Sequence, residues 1–576
     1  MDNSSGCRSL YQLSLGAVAE QFLIFKKHIN FLPENVLFDL YYQLYKNRKL
    51  CLLGMELSDL NTLLRMLKVT NKRIHLHKSF QALMDHGTKI GNELAISYNL
   101  CYLGNKDNFS AHETIINLGL RLGKFLNDAG WYFESEQVLL ACKDLCVSGP
   151  QNPENWCRTL DCCYKLLHAQ TAYCMFNEAT KTCDLALQTI EKLNNTEYTN
   201  INHAAFYAEL GVLYFSRSEY DKAYKWSVEA LNQLKPSLSP HIIINVLRQT
   251  AKSCIMMREY KKAGLLIKHA VCLARELFDR QDPKYSDVLI DYGFYLLNSD
   301  SIPNSVIVYK FALDIRKEIF GKYNLQVAMA HEDLAYALYV QEYNSGKFSL
   351  ASHHVNKAIE IMEKLLPSEH LLLASAKRVK ALILEEIALD NSQTPGSDQN
   401  LFTKSETLHL SALQLSQTAF GDMNVQTAKH YGNLGRLYQS MNRFDEAEKM
   451  HLRAIRIKED ILGSYDYEVG LSIGHLASLY NFHMQRYEEA ERLYQRSIDI
   501  SLKLFGKTYS GLEYDYRGLL HVYSKLEDHD KYVEFMDRLS EWKDLRDEHA
   551  NSEDPLFEEK PSQPISDVIQ TFLTIK

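Results

Sequence analysis

A short apolar mark returns through the second half of the sequence: Leu277-Phe278, Ile319-Phe320-Gly321, Leu365-Leu366-Pro367, Ala419-Phe420-Gly421, Ile461-Leu462-Gly463 and Leu504-Phe505-Gly506. Its second residue recurs at intervals of 42, 46, 54, 42 and 43 residues. Fourteen residues after each mark stands Tyr292, Leu334, Lys380, Leu434, Leu476 or Leu519, and a small residue follows five of these six: Gly293, Ala335, Ala381, Gly435 and Ala477. Such periodicity means that each unit buries its apolar faces on its neighbours, so the chain is a stack. Glycine is 25 and proline 12 of 576 residues, well below the usual shares of about 7% and 5%. A chain so poor in both favours helix over a large sandwich or barrel.

The clearest unit runs from Thr427 to Gly463 and places Leu434, Gly435, Tyr438, Ala447 and Ala454 at relative positions 7, 8, 11, 20 and 27. That is the tetratricopeptide repeat (TPR) signature: small residues let the two helices of a repeat approach, and larger ones fill the seam between repeats. Leu476, Ala477, Tyr480, Ala490 and Ser497 repeat it, and Leu210, Gly211, Tyr214, Ala223 and Ala230 fit the same frame upstream. Weaker matches reach back to Leu122 and Gly123. The expected fold is an all-α TPR superhelical solenoid. Its period of 42 exceeds the usual 34 or so, and the extra helical turn with a Phe-Gly loop resembles the repeats of kinesin light chains. Asn391 to Asn400 reads as an exposed loop of turn formers, and a four-residue insertion is expected at Asn344 to Lys347.

Lys plus Arg is 64 and Asp plus Glu is 72, a net charge of −8. Such a chain lacks the clustered cations that nucleic acid requires, so no nucleic-acid partner is expected. No P-loop, Gly-x-Gly-x-x-Gly, Gly-x-Ser-x-Gly or His-Glu-x-x-His motif occurs, so no catalytic residue, and no cofactor, is assigned. All twelve cysteines lie at or before Cys272 and none forms Cys-x-x-Cys. We read Cys142, Cys146, Cys157, Cys162 and Cys163 as buried small hydrophobes rather than metal ligands, in a cytoplasmic or nuclear chain.

The first hundred residues do not keep the repeat frame. Ser14-Leu15-x-x-x-Ala19-x-x-x-Leu23 resembles the BC box through which receptors of cullin-RING ligases grip Elongin C, with Leu15, Ala19 and Leu23 as the anchor. Leu32-Pro33-Glu34-Asn35-Val36 opens a second apolar helix with proline at a helix start, and this Leu32, Pro33, Val36 step resembles a cullin box of the von Hippel–Lindau type. The plainer alternative is a helical hairpin capping the end of the solenoid.

From about Leu10 to Asp547 the chain resembles the amyloid protein-binding protein 2 family, TPR receptors of a cullin-2 ligase. The resemblance rests on long stretches: Phe80-Gln-Ala-Leu-Met-Asp-His-Gly87, Asp291-Tyr-Gly-Phe-Tyr-Leu-Leu-Asn298, Ala330-His-Glu-Asp-Leu-Ala-Tyr336 and Asn424-Val-Gln-Thr-Ala-Lys-His-Tyr-Gly-Asn-Leu-Gly-Arg-Leu-Tyr-Gln-Ser-Met441. It implies a non-catalytic substrate receptor bound to Elongin B/C, cullin-2 and a RING subunit, presenting C-terminal Arg-x-x-Gly peptides for ubiquitin transfer. It also implies binding of the amyloid precursor protein tail and a link to microtubules, so a transport adaptor is the competing expectation. Cytoskeletal or membrane association would follow, and self-association stays open. The division expected is 1–105 as the N-terminal module, 106–545 as the solenoid and 546–576 as a largely disordered tail, within which Ile565 to Ile575 has the pattern of one short amphipathic helix. In the repeat frame, inner positions carry Asp287, Asp291, Glu332 and Asp333, expected to hold the arginine of such a peptide. Arg378, Lys429, Asn433 and Arg436 are expected to hold its terminal carboxylate.

Overall fold

The computed structural model describes residues 9–29, 31–196, 202–343, 346–390, 398–551 and 561–575. Of the loop expected at 391–400, the described part already belongs to helix Asp398–Phe420. The rest of that loop, part of the 344–347 insertion and most of the expected tail lie outside the described residues. Among the described residues there is no strand. Twenty helices from Phe109 to Asn551 form ten antiparallel hairpins, beginning with Phe109–Asp128 and Tyr132–Ser148 and ending with Leu512–Lys525 and His529–Asn551.

The repeat signature has a direct packing cause. A Cβ built on Gly435 would stand 2.9 Å from the His451 ring of the partner helix, so only glycine allows that approach. Each hairpin turn also carries one residue with positive φ: Gly130, Cys174, Ser218, Arg258, Asp300, Gly346, Asn442, Gln485 and Glu527 among those described. The Phe-Gly marks close the second helix of a repeat. Gly321 sits at φ 62°, ψ −144°, a region essentially reserved for glycine.

The first helix of each repeat packs on the first helices of its neighbours, while the second helices splay apart. First helices therefore line the inner wall. The wall closes on itself after five repeats, because each of the first five hairpin turns meets the start of a first helix one superhelical turn later. Asn324 Nδ2 donates to the Ala129 carbonyl at 2.7 Å, and the Tyr173 and His370 rings meet edge to face with centroids 4.4 Å apart. Asn424 Nδ2 donates to the Arg217 carbonyl at 3.0 Å. Arg258 grips Asp466 with Nε and Nη2 at 3.1 and 3.0 Å. Asp300 accepts from the Ser510 N–H and hydroxyl at 2.9 and 2.6 Å, and from Arg546 at 2.7 Å.

Ahead of the solenoid stand shorter helices: Leu10–Glu20, Phe22–Ile29, Glu34–Lys46, Leu50–Leu57, Leu60–Lys68, Arg73–Asp85 and Ile90–Gly104. One core runs from Ala19 to Leu166, so residue 105 marks a change of helix pattern and not a break in packing. Arg73–Asp85 also seals the first superhelical turn: Lys78 pairs with Glu318 at 2.8 Å, and the Asp85 carboxylate accepts the Lys322 and Tyr323 N–H groups. Near the end of the chain the short amphipathic helix expected at Ile565 to Ile575 is present. Ile565–Thr574 is a helix with Ile565, Val568 and Phe572 buried in the solenoid core, because its apolar residues fall on one face. No helix among the described residues is long and apolar enough to cross a membrane.

Candidate functional site

The inner wall is a ladder of charges, and most of its members are paired. Asp287, on helix Pro283–Asn298, accepts from Arg316 at 2.9 Å and lies 3.9 Å from Lys284. Burial would raise its carboxyl, but Lys284, Arg316 and Arg248 outweigh burial and hold it below the usual carboxylate range. Asp291, one turn on, is buried, with Arg248 at 2.7 Å and Lys252 at 3.4 Å. The four acids expected to act as one guanidinium site therefore divide. Asp287 and Asp291 are saturated by cations from neighbouring helices, because a charge half out of water demands a partner.

Glu332 and Asp333, on helix Leu325–Glu342, differ. Ser375 hydrogen-bonds Glu332. Asp333 forms no hydrogen bond or ion pair with another described residue and is half-buried. Burial, with the Glu332 carboxylate beside it, pushes the Asp333 carboxyl up to about 7, against the weaker pull of Arg316 and Lys252. Burial raises Glu332 as well. Two adjacent carboxyls held above their usual range mark a stretch of the wall short of positive charge.

The expected carboxylate clamp divides in the same way. Lys429 pairs with Glu468 at 2.9 Å, and buried Lys458 reaches the same carboxylate at 3.0 Å. Arg436 is held by buried Glu385 at 3.0 Å and by Glu386 at 3.4 Å. These two of the four expected donors are ion-paired within the chain. Arg378, on helix Leu372–Asp390, has no acidic partner within ion-pair distance among the described residues. It lies 5.0 Å over the Tyr336 ring and pulls down the Glu332 carboxyl. Asn433, on helix Val425–Ser440, is half-buried and its amide bonds no other described residue. Glu332, Asp333, Arg378 and Asn433 thus lie on three successive inner helices, acids at one end and donors at the other.

At the N-terminus the expected anchor does not form one accessible face. Ala19 is fully buried against the chain's own core, and half-buried Leu15 packs on it. Leu23 is 68% exposed. The helix breaks between them: Lys49 Nζ donates to the Ala19 and Glu20 carbonyls at 3.0 Å each, and Phe22–Ile29 sets off from there. Leu10, Leu13, Leu23, Ile24 and Phe31 are the barest apolar residues there, with Tyr11 and Phe25 less exposed. In the second box, Leu32 and Val36 are half-buried and Pro33 is exposed at the cap of Glu34–Lys46. Arg65 donates to the Leu32 carbonyl.

The sequence spacing also concealed a cysteine cluster. Cys142, Cys146 and Cys162 are buried with their sulfurs within 4.8 Å of one another. The first two are one helical turn apart on Tyr132–Ser148 and the third faces them from Pro153–Ala172. Three sulfurs are one fewer than a closed tetrahedral zinc site uses.

Residues 398–460 and 469–508 match the tetratricopeptide repeat. Amyloid protein-binding protein 2 of Mus musculus is 50% identical over 570 residues, 98% of this chain and 96% of the relative. The chain belongs to the amyloid protein-binding protein 2 family. The protein of that name from Rattus norvegicus is likewise 50% identical over 570 residues. Among solved structures, the apo form of RapI is 14% identical with a TM-score of 0.40, covering 68% of this chain and 98% of RapI. Like its family, the chain is a TPR protein with a protein-binding role.

Proposed function

We propose that the chain is the substrate receptor of a cullin-2–Elongin B/C RING ubiquitin ligase, and that its inner wall holds the C-terminal end of a substrate peptide of the Arg-x-x-Gly kind. The observation that carries this is the Glu332–Asp333 carboxylate pair, without an ion-pair partner among the described residues, on the inner wall with Arg378 and Asn433 of the next two repeats. A guanidinium fits the acids bidentately, and a free terminal carboxylate fits the donors. The wall closed by contacts between superhelical turns favours a chain end over an internal loop. Catalysis of ubiquitin transfer belongs to the partner subunits.

The ligase side rests on the bare apolar residues of the first two helices, which a solenoid cap alone has no need to expose. The contact with Elongin C is assigned to Leu10, Leu13, Leu23, Ile24 and Phe31 rather than to Leu15 and Ala19, and the contact with cullin-2 to Pro33 and the exposed edge of Val36. Leu23→Asp together with Ile24→Asp is expected to abolish co-purification of Elongin C while circular dichroism and the unfolding midpoint stay unchanged. Retention of Elongin C by that variant would sink the receptor assignment. The relatives' name, amyloid protein-binding protein 2, favours a second role in binding an amyloid protein, and the alternative reading is a transport adaptor that takes the amyloid precursor protein tail and links to microtubules. The N-terminal surface discriminates, since an adaptor has no use for Elongin C. The place proposed for either role is the cytoplasm and nucleus.

A further inference from the structure

Helix Ile565–Thr574 lies on Tyr260–Leu277, the second and therefore outer helix of its repeat. Two attachments hold it. Ile565, Val568 and Phe572, spaced along one helical face, are buried there, and the Lys262 ammonium stands 5.3 Å over the Phe572 ring. Just ahead of the helix, Ser562 hooks the last turn of Tyr260–Leu277. Its N–H donates to one oxygen of the Glu276 carboxylate at 2.8 Å and its hydroxyl to the other at 2.6 Å. The contact works only with a negatively charged acceptor and a serine that still has its proton. The two donors from Ser562 hold the Glu276 carboxyl below the usual range, so the acceptor is ionised at neutral pH.

We propose that Ser562 is a phosphorylation site, and that phosphate there releases helix Ile565–Thr574 from the outer face of the solenoid. A protein kinase transfers the γ-phosphoryl group of ATP. A bond forms between phosphorus and Ser562 Oγ, the bond from that phosphorus to the bridging oxygen of ADP breaks, and the hydroxyl proton leaves to the kinase's base. While the tail is docked, the hydroxyl is given to Glu276. The kinase therefore captures the undocked minority and the product cannot return, so modification traps a state the chain already visits. Phosphate removes the donor and sets a charge of about −1.5 to −2 against the carboxylate. The attraction of a helix N-terminus for phosphate does not offset this, since it fades beyond the first turn and Ser562 precedes the cap at Pro564. Release bares an apolar strip on Tyr260–Leu277 and frees an amphipathic helix at the end of the chain.

The test uses the full-length chain with phosphoserine built in at 562 and reads amide hydrogen exchange over 565–574. The unmodified chain is expected to protect these amides, and phosphorylation to speed their exchange about tenfold or more. Ser562→Ala, which loses a donor without adding charge, is expected to keep most of the protection. Glu276→Lys in the phosphorylated chain is expected to restore docking, because phosphate then meets an ammonium. Peptide mapping of chain isolated with phosphatase inhibitors is expected to find phosphate on Ser562. The proposal is overturned if the phosphorylated chain exchanges like the unmodified one, if Glu276→Lys restores nothing, if 565–574 is unprotected before modification, or if no phosphate is found at Ser562.

Discussion

Helices Pro283–Asn298 and Leu325–Glu342 belong to consecutive repeats, and each turns two acids to the inner wall. In the first, Asp287 and Asp291 are met by Arg316, Lys284, Arg248 and Lys252. In the second, neither Asp333 nor Glu332 has an ion-pair partner among the described residues, and Glu332 feels only the Ser375 hydroxyl and the more distant pull of Arg378. The difference lies in the neighbours. Arg248 and Lys252 come from the preceding first helix, Pro240–Met256, and Arg316 from the repeat's own second helix, Ile302–Phe320. An acid whose neighbours supply cations is structural. An acid facing the same interior without them is held at a cost, and is available to a ligand.

The largest expected effect separates these two roles by stability. Asp291→Ala leaves half-buried Arg248 and Lys252 without their carboxylate and is expected to cost about 2 kcal/mol, the penalty of leaving partly desolvated charges without their partner. Asp333→Ala removes a carboxylate with no ion-pair partner and is expected to change stability by less than about 1 kcal/mol. Urea unfolding followed by exchange of the 240–340 amides measures both. Equal losses would mean that Asp333 is as structural as Asp291 and that the acid pair is no ligand site.

This division was only half legible in the sequence. The repeat frame put Asp287, Asp291, Glu332 and Asp333 on the inner wall, where they lie, because period and helix geometry fix facing. Pairing depends on side chains one helix away, such as Arg248 and Arg316, and on the distance between helices, which the frame does not give. Arg248 does occupy an inner position in its own repeat, four residues before Lys252, and that spacing was the available signal. The contacts between superhelical turns were not legible at all. Arg258 and Asp466 are 208 residues apart, and only the closing of five repeats into one turn brings them together. At the N-terminus the spacing of Leu15, Ala19 and Leu23 was read on one continuous helix. The break at Gln21 rotates Leu23 away from the other two. In the tail the helix was legible from the spacing of Ile565, Val568 and Phe572, but its seat on Tyr260–Leu277, about 300 residues earlier, was not.

The next effect is on binding. Glu332→Gln with Asp333→Asn is expected to weaken a peptide ending in Arg-x-x-Gly about thirtyfold, near 2 kcal/mol, and to leave a peptide lacking that arginine unaffected. The pH profile carries the same information. Asp333 is raised to about 7 in the fold, so near neutrality it is partly protonated, and a guanidinium binds its ionised form. Affinity for the arginine peptide is expected to rise with pH through about 7 in the parent chain and to be flat in Asp333→Asn. Stability runs the other way. A raised carboxyl takes up protons on folding, so stability falls as pH climbs from the unfolded carboxylate range through about 7. Asp515, also raised to about 7 by burial, keeps part of that stability slope in the variant but lies away from the peptide, so calorimetric binding at several pH values isolates Asp333. A pH-independent affinity in the parent chain would remove Asp333 from the site.

The smallest expected effects test the other end of the peptide, where the four donors assigned by the frame also divide. Arg378→Gln and Asn433→Ala are each expected to cost about 1 kcal/mol of affinity, some fivefold, the net worth of one hydrogen bond. The loss is expected only while the peptide's terminal carboxylate is free; amidating the peptide should erase it. Lys429→Ala is expected to do less. Its carboxylate partner Glu468 keeps Lys458 at 3.0 Å, so the wall stays neutralised and no donor that was free is lost. Arg436→Ala should instead act through the fold, since it uncovers Glu385, which is buried and otherwise bonded only by Ser440 at 2.9 Å. Its loss of affinity is therefore expected to be the same for free and amidated peptides. Titrating both peptides into the four variants gives a two-by-two pattern. Amidation sensitivity confined to Arg378 and Asn433 places the carboxylate beside them, whereas sensitivity confined to Lys429 and Arg436 would mean that the ligand displaces Glu468 and Glu385 from cations the empty solenoid keeps paired.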